Sequence, residues 1–544
     1  MARALMVLGT ASHVGKSIIT AGLGRIFSDD GVRVAPFKAQ NMSLNSASTP
    51  DGGEIGRAQA LQAEACRIAP CVEMNPVLIK PRSDSSSQVV LLGKIWGQVS
   101  ARDYHTQRVE QIFPAVLESY RKLASDYEMI LLEGAGSPAE INLREHDIVN
   151  LRMARAANAA CILVGDIDRG GVFASLVGTM ELLESQEREL IKGFVINKFR
   201  GDKTLLQPGI ETIEQRLGIP CVGVIPYLRD LNLDEEDSVA MKERPTATQA
   251  WKLSHDDRSS NDASDRSSDR SSKHSPDRQM RIGVVALPHL SNFTDFDALA
   301  TEPSVSLAFL DSPEDVYLAD IVILPGTKQT LDDLDWLAHK GFSQEILKHH
   351  SKQKLIVGIC GGFQMLGISI QDPYGIENDG KPFARNGLRI IGVTTIFASE
   401  KTTQQVSGEI STDAFAPYPW PHRNFWGYEI HVGETHLEKN TRPLATIVRS
   451  SDQAKQFDGA INKKQSSFGT YVHGIFDDDL FRQSFVNFAR IRAGLSQAQQ
   501  FSAVNAERES RINRLADHLR ESLDFALIRS WIEIPQTATA ISAD

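Results

Sequence analysis

Gly358-Ile359-Cys360-Gly361-Gly362 puts a thiol among glycines at the end of an apolar run. That pattern predicts an elbow, a strand turning into a helix so tightly that the central side chain is held out in a strained conformation. Larger neighbours than glycine would collide there. A cysteine at a helix start meets partial positive charge, which favours thiolate. The Gly361 N–H can then donate to a developing oxyanion. A lone Gly-x-Cys-x-Gly could equally be a buried structural cysteine, but two other segments supply what a nucleophilic thiol needs. SFGTYVHGIFD carries His473 behind a short β-type run, and a base for cysteine must be near in space, not in sequence. LPGTKQT follows the strand-like DIVIL, and its turn can give a second oxyanion N–H from Gly326 or Thr327.

A different chemistry is spelled near the start. Residues 9–17 read GTASHVGKS. The usual phosphate loop is G-x-x-x-x-G-K-[ST]; here Gly9 precedes Gly15 by six positions, so the strict pattern fails by one residue. Strand, small-residue loop from Gly9 and Thr10 to Gly15, Lys16-Ser17 and helix still come in order. Backbone N–H groups can cradle phosphates, Lys16 can reach their outer oxygens, and Ser17 can bind Mg²⁺. Magnesium also wants carboxylate oxygen. Glu133, closing the apolar run in LLEGAGS, is the first candidate, and Glu54 in DGGEIGRAQA the second. Asp166 and Asp168 in VGDIDRGG also follow a strand, and each alone could be a cap or loop charge. Lys38, Gln40, Asn41 and Asn45 form a polar cluster suited to phosphate or a polyanionic substrate, or equally to an Asn-rich turn.

These residues need scaffolds, and two α/β patterns provide them. ALMVLG, EMILLEGAG, ACILVGDID, GFVINKF and CVGVIPY alternate with amphipathic segments; after a break, RIGVVAL, DIVILPG and KLIVGIC do the same. Continuous apolar strands between helices predict parallel sheets covered on both faces. The break is HDDRSSNDASDRSSDRSSKHS, too poor in apolar residues to offset its ordering entropy. The expected layout is an ATP-binding domain over 1–240, a disordered linker over 241–279, a thiol domain over 280–495 and a helical tail over 496–544. His349-His350 reads as a solvated helix end, Trp420 and Trp426 as packing, and His431 and Glu434 as unassigned neighbours of the thiol site.

Composition narrows the class. With 544 residues, 41% hydrophobic and 23% charged, this is ordinary globular protein of two to four domains. A net charge of −11 without clustered Lys and Arg argues against nucleic-acid binding. Five cysteines, an odd number with no Cys-x-x-Cys, fit a reducing cytoplasm. No apolar run reaches the ~18 residues of a membrane span, and the first strand follows the N-terminus too closely for a signal peptide.

The GTxSxxGKS loop resembles that of dethiobiotin-synthetase-type ligases. Cys360, His473 and LPGTKQT together resemble the class I (triad-type) glutamine amidotransferase domain over roughly 281–480, with one departure. The common members carry His-Pro-Glu, whereas this chain has His473-Gly474-Ile475, so the third member of the triad stays open. The two domains in this order, with PFKAQNMSLNS, EGAGSPAEINL, NKFRGD, NFTDFDAL and GYEIHVGET, resemble the cobyrinate-type amide synthases over nearly the whole chain.

That resemblance implies an enzyme of cobalamin biosynthesis using ATP, Mg²⁺ and glutamine. The substrate implied is adenosylcobyrinic acid a,c-diamide, amidated at its b, d, e and g carboxylates to adenosylcobyric acid. It adds Asn197, in NKFRGD, to the ATP contacts. The nearest rival within the family is the a,c-diamide synthase, which acts earlier. A relative amidating a peptidoglycan lipid precursor usually splits the activities between chains. A partitioning-type ATPase with an inert cysteine domain is the rival from another class, predicting ATP hydrolysis indifferent to Cys360→Ser.

Overall fold

The computed structural model describes residues 2–81, 86–100, 103–104, 108–229, 231, 233, 244–251, 276–378, 380–451 and 453–533. They form two units, Met1–Ser43 with Ile55–Glu235 and Arg508–Asp544, and Leu44–Glu54 with Glu236–Glu507. Both contain the parallel α/β sheet that the apolar runs predict.

In the first unit the strands are β1 (Arg3–Gly9), β2 (Val34–Phe37), β3 (Met129–Glu133), β4 (Ala160–Asp166), β5 (Ile191–Phe199) and β6 (Cys221–Pro226). Their order is β6-β5-β4-β1-β3-β2, parallel throughout. β1 is central because nearly every side chain on it is apolar and buried. The chain departs in opposite directions on its two sides, and the carboxyl ends of strands at such a switch point are where α/β sheets bind ligands. Helix α1 (Lys16–Asp29) leaves from there and α2 (Arg57–Ala65) packs beside it. A four-stranded sheet including Gln40–Met42 and Val77–Pro81 is added to this core.

The second unit has β7 (Met280–Val285), β8 (Val305–Leu310), β9 (Ile321–Leu324) and β10 (Leu355–Ile359), which runs into helix α3 (Gly361–Leu366). Then come the long β11 (Val393–Ile410) and β12 (Asn424–Leu437), followed by β13 (Ser467–Thr470) and β14 (Val472–His473). The first sheet runs β8-β7-β9-β10-β13, all parallel, with Ala460–Ile461 antiparallel at one edge. β11 and β12 pair antiparallel and carry a second, seven-stranded sheet that the apolar-run pattern did not predict. Its strands alternate buried and open residues, as befits a sheet with one face covered.

The segment boundaries differ from those expected. Leu44–Glu54 clusters with the second unit, although its neighbours in sequence build the first. The tail helices, α4 (Val504–Ser522) and α5 (Phe525–Glu533), place Ile512, Leu515, Leu519, Ile528 and Ile532, with Leu523 between them, in the first unit's core with Leu5, Ile19 and Leu23. Most of the expected linker, 252–275, lies outside the described residues. The expectation of disorder does not hold for 244–251. Ala247–Ala250 is a short helix, Trp251 is buried and its Nε1 donates to the Ser306 carbonyl, and Pro245 accepts from Phe309 N–H. One tryptophan with a sheet edge to cover is enough to order this piece.

Candidate active site

In the second unit the thiol chemistry is assembled around the β10–α3 elbow. Cys360 has φ 50° and ψ −111°, a conformation few non-glycine residues adopt, imposed where the strand ends and the helix begins. The flanking glycines are required by space. A Cβ on Gly358 would lie 2.7 Å from Phe363 N, and one on Gly362 would run into the Leu324 carbonyl. The Cys360 Sγ lies 3.5 Å from the Ile430 carbonyl oxygen, and the thiol is close enough to His473 to raise the imidazole's pKa.

β14 delivers His473, buried with its ring stacked on Tyr428 at 5.4 Å. Its Nδ1 lies 2.7 Å from Asp295 Oδ2, and the other carboxylate oxygen accepts from Gly474 N–H at 3.0 Å. Asp295 is therefore the carboxylate that meets His473 where the sequence left a place open. It comes from a 3-10 turn, Phe293–Phe296, in the segment NFTDFDAL. Burial alone would push the His473 pKa down; the Asp295 carboxylate and the facing Cys360 outweigh it and hold it up, at about 10.

The LPGTKQT turn closes the other side. A Cβ on Gly326 would lie 2.8 Å from His473 Cε1, and the Thr327 N–H lies 3.2 Å from where a Cβ on Gly361 would be. Thr327 is fixed by its hydroxyl, which donates to Asp333 at 2.5 Å. Gly361, Gly326 and Thr327 thus meet around one point beside the thiol. His431 stacks on Tyr471 at 3.8 Å and pairs with Glu429, forming part of the wall behind Ile430. Trp420 packs among Phe415, Phe481 and Phe488, whereas Trp426 is 44% exposed. His349 is not a solvated helix end: it is 4% exposed, on the inner face of its amphipathic helix.

The phosphate loop of the first unit occupies the end of β1. Its additional residue is absorbed by two left-handed positions, His13 (φ 63°) and Gly15 (φ 101°). Thr10 N–H donates to Val164, and the Asn197 side chain donates to the Val14 carbonyl at 2.8 Å and leaves no room for a Cβ on Gly15. Gly9 is equally confined, by Val14 and Lys16. The Lys16 ammonium bonds to Ala11 and Gly136 carbonyls at 2.9 and 3.0 Å, spanning the loop and the turn after β3.

Glu133 is the hub beside it. Ser17 donates to Glu133 Oε1 at 2.7 Å, Lys38 to the same oxygen at 2.9 Å, and Gln62 to Oε2 at 2.6 Å. Burial would raise this carboxyl's pKa; Lys38, Ser17 and Gln62 hold it below the usual range. Asn41 joins through Gln59, which accepts from it at 2.8 Å and donates to Glu133 at 3.4 Å. Among the described residues no cluster of three or more His, Cys, Asp or Glu could hold a metal ion. A hydroxyl and a carboxylate this close are hard oxygen donors, and fit a Mg²⁺ completed by phosphate and water.

Glu54, the second carboxylate candidate, belongs to the other unit. It lies in the second unit, paired with Lys401 and accepting from Ser46 at 2.7 Å, because the arm that carries it folds there. Asn45 goes with the same arm. Asp166 and Asp168 are answered by Lys198 and Arg200, each at 3.0 Å.

Comparison with known proteins agrees with both halves. Residues 5–239 match the CobQ/CobB/MinD/ParA nucleotide binding domain, and residues 281–481 the CobB/CobQ-like glutamine amidotransferase domain. The chain is 44% identical to the cobyric acid synthase of Pelotomaculum thermopropionicum, over 98% of this chain and 97% of that one. The same enzyme of Clostridium botulinum is 43% identical, over 97% and 99%, and that of Salmonella heidelberg 45%, over 96% and 97%. Among the described residues no helix is long and apolar enough to cross a membrane.

Proposed function

The chain belongs to the cobyric acid synthase family, and from that premise we propose that it amidates adenosylcobyrinic acid a,c-diamide at its b, d, e and g carboxylates, using glutamine and ATP, to give adenosylcobyric acid. The observation that carries this reading is one chain bearing both a Cys360–His473–Asp295 elbow and a Ser17–Glu133–Lys38 phosphate loop. A thiol centre alone would suit a hydrolase, and a phosphate loop alone an ATPase; a ligase driven by glutamine nitrogen needs both.

In the second unit Cys360 Sγ attacks the glutamine carboxamide carbon. Gly361 N–H and the turn at Gly326 and Thr327 receive the oxyanion. His473, protonated near neutral pH, hands its proton to the departing ammonia, leaving a glutamyl thioester. The same imidazole then takes a proton from water as the thioester is hydrolysed to glutamate. Asp295 fixes the tautomer and orientation of the ring.

In the first unit the loop from Gly9 and Thr10 to Gly15 cradles ATP, with Asn197 bracing it and Lys16 drawn from its carbonyls onto the outer phosphates. Ser17 and Glu133 would hold Mg²⁺, which supplies neutralisation of phosphate charge. Lys38 and Asn41, beside Glu133, orient the substrate carboxylate for phosphorylation. Ammonia displaces phosphate from the acyl phosphate, and the amide remains. Five free cysteines support a reducing compartment, the cytoplasm.

The test is mass spectrometry of the corrinoid incubated with protein, Mg-ATP and glutamine. Each conversion replaces a hydroxyl by an amino group, so four successive steps are countable. Cys360→Ser should abolish them with glutamine and leave them intact with ammonium. An unchanged corrinoid mass while ATP is hydrolysed would sink the proposal.

A further inference from the structure

In chain order, Leu44–Glu54 interrupts the nucleotide half. It follows the strand that carries Asn41 and leads back into α2, whose Gln62 holds Glu133. In the fold it is part of the second unit. Asn45 and Glu54 are 1% exposed, and Ser46 and Thr49 are fully buried. A polar segment so buried has to bond through, because an unpaired group would cost about 1–3 kcal/mol.

Its bonds converge on one turn. Asn45 Oδ1 accepts from Phe293 N–H at 3.3 Å, while Asn292 Oδ1 accepts from Ser46 N–H at 3.1 Å. Each side chain therefore satisfies a backbone donor of the opposite segment. Asn292 has φ 52° and opens the 3-10 turn that presents Asp295, whose own N–H donates to the Asn292 carbonyl at 3.0 Å. Behind the clamp the arm is anchored by Ser46 to Glu54, Glu54 to Lys401, and Gln405 to the Ser48 carbonyl. Short 3-10 turns have poor internal hydrogen bonding and little stiffness of their own.

We propose that Asn45 and Asn292 are positioning residues for glutamine hydrolysis: they clamp the entrance of the Phe293–Phe296 turn and so set how Asp295 meets His473. This rests on the reading of Cys360 and His473 as the glutaminase centre. Neither asparagine touches glutamine. Their effect passes through the carboxylate, which is why kcat and the ionisation of the imidazole should report it while KM does not.

The experiment uses the full chain with Asn45→Ala, Asn292→Gly and both together; glycine keeps the positive φ and removes only the amide. Glutaminase kcat should fall between about 10- and 100-fold in each, as for a small misplacement of a catalytic group. KM should stay within about twofold. A looser Asp295 should also move the limb of the pH profile that reports His473 to lower pH. Because both changes release the same turn, the double variant should be little worse than either single one. Ammonium-supported amidation by Asn292→Gly should match the wild type, which establishes that the first unit is intact, and its Tm reports on the second. Glutaminase kcat and pH profile unchanged in both single variants would overturn the proposal. So would a fall in kcat with an unmoved pH limb and a lowered Tm, which is plain destabilisation. If Asp295→Asn itself left glutaminase intact, the reading of the centre would have failed, not the clamp.

Discussion

Asp295 is the carboxylate bonded to His473, and it is invisible to motif reading. It lies 178 positions from His473, with no spacing that could announce the pair. Cys360 and His473 are legible because an elbow and a Gly-flanked histidine are local patterns; a carboxylate partner in space is not. Glu54 shows the complementary limit of spacing. A carboxylate after a glycine pair looks like a ligand, and only the path of the arm shows that Lys401 claims it. Asp295→Asn should keep the geometry but favour the wrong tautomer, lowering glutaminase kcat by about 10³–10⁴-fold while ammonium-supported amidation persists. Steady-state assays with the two nitrogen sources check it. Two histidines give stability opposite pH slopes. Burial pushes the His349 pKa down to about 3, so its contribution is full above about 6.5 and lost as pH falls toward 3. His473, held at about 10, contributes fully below about 6.5 and loses that as pH rises through 10. Melting curves across acid pH should therefore show His349→Gln losing part of the wild-type decline and leaving the alkaline side unaltered.

At the scale of elements, the parallel strands were readable and the β11–β12 hairpin was not. Runs such as KLIVGIC are apolar throughout because both faces are covered, whereas TTIFASEKTTQQVSGEI buries one face and resembles a polar loop. The phosphate loop was legible despite its irregular spacing, since what matters is strand, small residues and helix in order; His13 and Gly15 show how the additional residue fits. The elbow makes the sharpest prediction here. A methyl at Gly362 meets the backbone of Leu324, which no rotamer can relieve. Gly362→Ala should cost about 1–3 kcal/mol, seen as a lower Tm, and should remove glutaminase activity by displacing α3 from beneath the thiol. A variant that melts and turns over like the wild type would refute that account of the elbow.

Across the whole chain, both units are discontinuous, and a reading that cuts at composition breaks cannot see this. Local pattern reports that the tail is helical; it does not report which core receives it. Five large apolar side chains of α4 and α5, from Ile512 to Ile532, with Leu523 between the helices, complete the first unit's core, and Leu515 and Leu519 leave no room for a Cβ at Gly22. At about 1.5–3 kcal/mol each, their burial is comparable with a domain's entire net stability of about 5–15 kcal/mol. A chain ending at Glu507 should therefore retain glutaminase activity and lose ATP-dependent, ammonium-supported amidation; assays of the purified truncated protein decide it. The same threading sets a timetable for biosynthesis. β6 leaves the ribosome about 290 residues before Leu515, a delay of roughly 15–60 s at ordinary elongation rates. Throughout that interval the face of α1 bearing Gly22 has no cover, so the nascent nucleotide half waits, sticky and unfinished, for α4. Its core is completed by residues made long after its own strands, so a chaperone that binds apolar surface should be found on chains stalled between β6 and Leu515.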